Sequence, residues 1–132
     1  MKFIVFFALM FLSLSCSCTD KYDDESMYDL ASKFKDLSQA VDGHLKFSGE
    51  PVEDGAQLLS EISERYPHLI APFKDFTIMT KIQSGNVILL LCDENIALIE
   101  DAGCNGKLDV NHWIDAKADS CEFTIDSALL CQ

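Results

Sequence analysis

The sequence predicts an α+β domain. Two N-terminal helices pack on one face of an antiparallel meander sheet of three to four strands, and disulfides staple the whole. Three observations carry that expectation. Residues 27–41 repeat apolar side chains at three- and four-residue steps, the period of an amphipathic helix. Beyond Phe73 the period shortens to two, and the connections are too short for parallel crossovers, which take about a dozen residues or more. Cys92, Cys104, Cys121 and Cys131 form an even set behind an export-like N-terminus, the pattern of a disulfide framework.

Met1 to Cys18 stands apart from the fold. Lys2 precedes an apolar run from Phe3 to Leu12, and small residues follow, as in a secretory signal. The run falls short of the roughly 20 apolar residues that a spanning helix needs. The polar stretch TDKYDDES follows at once, which argues against a buried core helix. Ser13-Leu14-Ser15-Cys16 and Ser15-Cys16-Ser17-Cys18 each resemble the lipobox of bacterial lipoproteins, although both lack its usual Leu. The resemblance implies lipidation at Cys18 or Cys16; simple cleavage nearby is the alternative. Cysteine parity favours Cys18, because four cysteines then remain to pair. The chain divides into a signal (1–18), an acidic tether (19–26) and one globular domain (27–132).

The first helix carries Met27, Leu30, Ala31, Phe34, Leu37 and Val41 on its apolar stripe, with Lys33 and Lys35 off it. Asp24 or Ser26 suits its start and Gly43 its end. His44 to Glu50 forms a connector. Pro51 suits the first turn of a second helix, and Glu53 and Asp54 favour its N-terminal end. Ala56, Leu59, Ile62 and Tyr66 would line its buried face. Pro67 stops it, and PHLIAP reads as a tight linker.

Phe76, Ile78, Thr80 and Ile82 alternate with Thr77, Met79 and Lys81 in the first strand. Ser84-Gly85-Asn86 is a turn. Val87 to Cys92 is continuously apolar, as a strand buried on both faces would be. Asp93-Glu94-Asn95 is the next turn, Ile96 to Ile99 the third strand, and Cys121 to Ile125 a fourth. The far face of the sheet needs a cover, and Cys104 to Asp119 is a candidate; an apolar partner surface is another. The expected pairing is Cys104–Cys121 and Cys92–Cys131, each bond stabilising by about 2–4 kcal/mol. Cysteine spacings of 12, 17 and 10 offer no close pair for zinc.

Charge narrows the function. Ten basic residues oppose 22 acidic ones, a net charge of −12 that deepens to −13 once Lys2 leaves with the signal. Nucleic-acid binding is excluded as an expectation, because it needs a clustered basic surface. The stretch DAGCNGKLDVNH partly resembles an EF-hand loop, with Asp101, Asn105, Gly106, Leu108 and Asp109 in register. Gly103 at its third position and His112 at its twelfth cannot supply the carboxylates required, so a disulfide-pinned turn is the expected reading. Trp113, His112, Asp101 and Asp109 are the candidate partner-binding residues, since aromatic anchors dominate interface energetics. For Trp113, core packing is the competing role. No nucleophile elbow, phosphate loop or metal-ligand spacing is present, and the pairs Glu100-Asp101 and Glu53-Asp54 are expected by chance in so acidic a chain. No cofactor is expected. The sequence therefore points to a small exported, non-enzymatic protein that recognises a basic protein, as inhibitors and immunity proteins do. A structural or accessory lipoprotein of the cell envelope is the alternative, and an enzyme or small-ligand binder ranks below both. Membrane attachment is expected only through the lipid.

Overall fold

The computed structural model describes residues 22–52, 54–105 and 120–131. Its elements are helix α1 (Asp24–Phe47), helix α2 (Gly55–Arg65), a short helix α3 (Pro67–Ile70), a 3-10 turn (Ala71–Phe73), strands β1 (Thr77–Gln83), β2 (Asn86–Asp93) and β3 (Ile96–Ala102), and a last turn of helix, α4 (Ser127–Leu130). The class is α+β, and the sheet is an antiparallel meander in the order β1-β2-β3.

The cap of helix α1 is Asp23, not Asp24 or Ser26. Its carboxylate accepts the Ser26 backbone N–H at 2.8 Å, satisfying one orphan donor of the first turn. The expected stripe is buried at Met27, Ala31, Phe34, Leu37 and Val41. Gly43 does not end the helix, which runs a further turn to Phe47 and closes where the Ser48 N–H donates to the His44 carbonyl. The Lys46 ammonium, four residues after Asp42, donates to it at 2.7 Å and supports that extra turn.

Helix α2 begins at Gly55 with Asp54 as its cap, so Pro51 lies outside it. The shifted start turns Leu58 and Ile62 inward. Ala56 and Tyr66, expected on the buried face, are exposed. PHLIAP is not a plain linker: Pro67 sits in the first turn of α3, and the 3-10 turn delivers Phe73 edge-on to Phe34, ring centroids 5.4 Å apart.

Val87, Leu89 and Leu91 of β2 face the helices in one cluster with Phe34, Leu37, Leu58, Ile62 and Phe73. Leu90 and Cys92 face the other way. This two-sided burial explains why β2 carries no polar residue between Val87 and Cys92. Pairing passes from Leu91–Ile99 to Cys92–Ala97, so Leu98 is the extra residue of a β-bulge, and Leu98 and Ile99 both join the helix-side core. Strand β3 extends to Ala102, three residues beyond its expected end.

Residues 121–125 are not a fourth strand. The segment is extended, with Cys121, Phe123 and Ile125 less exposed than Glu122 and Thr124, which is the alternation legible in the sequence. Its backbone donors do not enter a ladder. Thr124 N–H and Ile125 N–H donate instead to the carboxylate of Glu100. The segment is a strap over the outer face, where Cys121 and Phe123 pack against Leu90, Cys92 and Ala97. The strap covers part of the face that Cys104 to Asp119 was expected to cover; most of that stretch lies outside the described residues.

The disulfides are Cys92–Cys121 and Cys104–Cys131, with Cα atoms 5.9 and 5.5 Å apart, so the expected pairing is corrected. Register supplies the reason. Cys92 lies at one end of the sheet. Cys104 follows Ala102, which pairs with Ile88, four residues and roughly 13 Å up β2 from Cys92. The strap runs from the Cys92 end past Glu100 to Gln83 at the other end, where Ser127 N–H donates to the Gln83 side chain at 2.9 Å. Its first cysteine therefore meets Cys92 and its last meets Cys104. The opposite pairing would have to span the sheet, beyond the roughly 7 Å that a disulfide bridges.

Candidate functional site

Among the described residues, the outward side of α1 presents four exposed acids, Asp24, Glu25, Asp29 and Asp36. Asp24, Glu25, Tyr28, Asp29 and Ser32 line a shallow groove along its first two turns, and Asp36 continues the exposed face. The helix places them there by period alone: the apolar stripe turns inward and the intervening residues turn out. Tyr28 is 52% exposed in the middle of the acids. Lys33 donates to Asp29 at 2.7 Å on the flank, a solvent-facing pair that leaves the groove dominated by carboxylates. At its head, the Ser26 backbone N–H holds the Asp23 carboxyl below its ordinary range. Phosphate-like ligands are disfavoured here; an ammonium or guanidinium is favoured.

A second concavity lies between α1 and α2, with a volume of about 510 Å³, lined by His44, Ser48, Glu50, Glu61, Glu64 and Arg65. The His44 ring nitrogen Nε2 stands 2.9 Å from a Glu61 oxygen, and the His44 side chain is 10% exposed. Glu61 also accepts from Gln57 at 3.0 Å. The His44 contact, then the Gln57 bond, hold the Glu61 carboxyl below its ordinary value. The pair joins the two helices.

Three buried polar arrangements are structural. Lys35, expected off the stripe, is only 5% exposed. Its ammonium donates to both oxygens of Asp101, at 2.7 and 3.0 Å, and the Ser38 hydroxyl also donates to Asp101. The Asp42 carboxylate accepts the Val87 N–H at 2.9 Å and so fastens α1 to β2. Glu100, wholly buried, accepts from Thr124 N–H, the Thr124 hydroxyl and Ile125 N–H between 2.6 and 3.0 Å.

Asp101, expected on a binding surface, is thus turned into the interior and engaged by Lys35. The same engagement withdraws the first position of the EF-hand-like loop from any cation. Asp109, His112 and Trp113 lie outside the described residues, as do Cys16 and Cys18. The four other cysteines are all in disulfides. An acidic tether over 19–26 with a helix start at Asp24 or Ser26 does not distinguish the α1 face. Placing Asp29, Ser32 and Asp36 on the helical period would have revealed it. Among the described residues, no three His, Cys, Asp or Glu side chains converge as a metal site, and no helix is long and apolar enough to cross a membrane. No family model, curated protein or solved structure matches the chain.

Proposed function

We propose that the chain is a small exported, non-enzymatic binding protein whose partner is a basic protein. The carrying observation is the acidic outer face of α1, with Tyr28 among Asp24, Glu25 and Asp29, on a chain of net charge −12. Carboxylates arrayed on one rigid helix steer a cationic partner. On this reading the two N-terminal helices over the sheet are the scaffold, and the disulfides suit an oxidising compartment outside the cytosol. Residues 1–18 act as the export signal. Retention of basic proteins on the immobilised domain is the test. The proposal expects retention at low ionic strength that is lost as salt rises. Retention of acidic and basic proteins alike, or of neither, contradicts it.

A second reading is a lipid-anchored accessory subunit of an envelope assembly. The two lipobox-like cysteines, Cys16 and Cys18, favour it. Mild crosslinking in cells separates the two, since an accessory subunit brings down a membrane partner in fixed ratio. The intact mass of the mature protein reports cleavage and acylation directly.

A further inference from the structure

The two disulfides sit in unlike surroundings. Cys92 is wholly buried, on the outer face of β2 among Leu90, Ala97 and Phe123. Its partner Cys121 belongs to the same apolar cluster, and its sulfur lies 3.3 Å from the Met79 sulfur. Among the described residues, neither Cys104 nor Cys131 belongs to an apolar cluster. Both are half-buried, as Cys121 is, so Cys92 is the one wholly buried cysteine of the four.

Thiol–disulfide exchange needs an approach to one sulfur and a stable thiolate on the other. Attack on Cys92 has no path through the core. Attack on Cys121 expels a thiolate from Cys92 into apolar surroundings, where burial disfavours the charged form. At Cys104–Cys131 both cysteines are half-buried, so either sulfur is open to attack and neither leaving thiolate is wholly buried as Cys92 is.

We propose that Cys104–Cys131 is a thiol–disulfide exchange site for a dithiol, and that Cys92–Cys121 is inert in the folded protein. One thiolate of the dithiol attacks a sulfur of the Cys104–Cys131 bond. That bond breaks, a mixed disulfide forms, and the displaced cysteine leaves with the electron pair and takes a proton. The second thiol of the reagent, as its thiolate, then attacks the reagent sulfur of the mixed disulfide; that bond breaks, and the second protein cysteine leaves with the electron pair and takes a proton. Two electrons and two protons have passed to Cys104 and Cys131, and the dithiol has become a disulfide. The α4 turn keeps two other attachments after the bond opens. Ser127 N–H donates to the Gln83 side chain and the Ser127 hydroxyl to the Gln83 carbonyl at 3.1 Å, so the two cysteines stay near each other for reoxidation.

The experiment treats the native protein with graded dithiothreitol in the absence of denaturant, traps thiols with N-ethylmaleimide and maps the label by peptide mass. Expected is a doubly labelled species carrying label at Cys104 and Cys131, formed at least about tenfold faster than any label at Cys92 or Cys121. Its near-ultraviolet circular dichroism stays that of the oxidised protein. First labelling at Cys92 and Cys121, or simultaneous labelling of all four, overturns the proposal. A C104S/C131S variant checks the same point independently. Its remaining bond should survive the dithiothreitol concentration that opens Cys104–Cys131 in the parent, and its opening there would be contrary.

Discussion

Lys35 is the residue where sequence and structure part most sharply. Helical spacing places it beside the apolar stripe, and a lone lysine there reads as solvated. Its partner Asp101 is 66 residues away, so nothing local announces the pair. Removing one member of a buried ion pair strands the other. Lys35→Met is therefore expected to cost about 3–5 kcal/mol in denaturant unfolding, and K35M/D101L to recover most of it. Gly103 is equally silent in sequence. A Cβ there would overlap the Ser38 carbonyl and the Asp42 side chain, because α1 crosses directly over the end of β3. Gly103→Ala should cost about 2–3 kcal/mol by forcing the helix away. Glu61 carries a pH signature. Its folded carboxyl titrates below the ordinary 4.5, so the stability it contributes is present above that value and is lost as pH falls through the lowered one. Glu61→Gln should narrow the difference in melting temperature between pH 7 and the acid side of that value; an unchanged difference would discount the His44 contact.

Among the elements, those defined by local period were legible and those defined by distant partners were not. The α1 stripe, the hairpin turn at Ser84-Gly85 and the two-sided burial of β2 follow from neighbours in sequence. Ser84 and Gly85 both take positive φ, as a two-residue hairpin that matches strand twist requires. The strap shows the opposite case. Its alternation is visible, but whether its amides meet a strand or a side chain depends on Glu100, 24 residues earlier. Strap direction in turn sets the disulfide pairing, which spacing alone left among three choices. Glu100→Ala removes the acceptor of two backbone donors and one hydroxyl. It is expected to cost about 3 kcal/mol or more and to raise hydrogen exchange at Thr124 and Ile125 while β1 and β2 stay protected. The acidic face of α1 belongs with the legible features, since Glu25, Asp29, Ser32 and Asp36 follow one helical period.

For the whole molecule, charge and covalent stapling act on different layers. Both disulfides tie the strap over the outer face, where the apolar cluster among the described residues is small. The helix side rests on the larger apolar core, crossed by the Lys35–Asp101 and Asp42–Val87 contacts. The exposed acids of α1 lie outside that core, and the proposed function uses them. The most direct measurement compares three proteins for affinity to the same retained basic partner across a salt series. They are the parent domain, D24N/E25Q/D29N on α1, and E50Q/E64Q/E122Q elsewhere, the two variants being matched in charge. The account predicts that the α1 variant binds about tenfold or more weakly at low salt, with a flatter salt dependence, while the matched control stays near the parent. Equal losses in both variants, or none in the α1 variant, would contradict it.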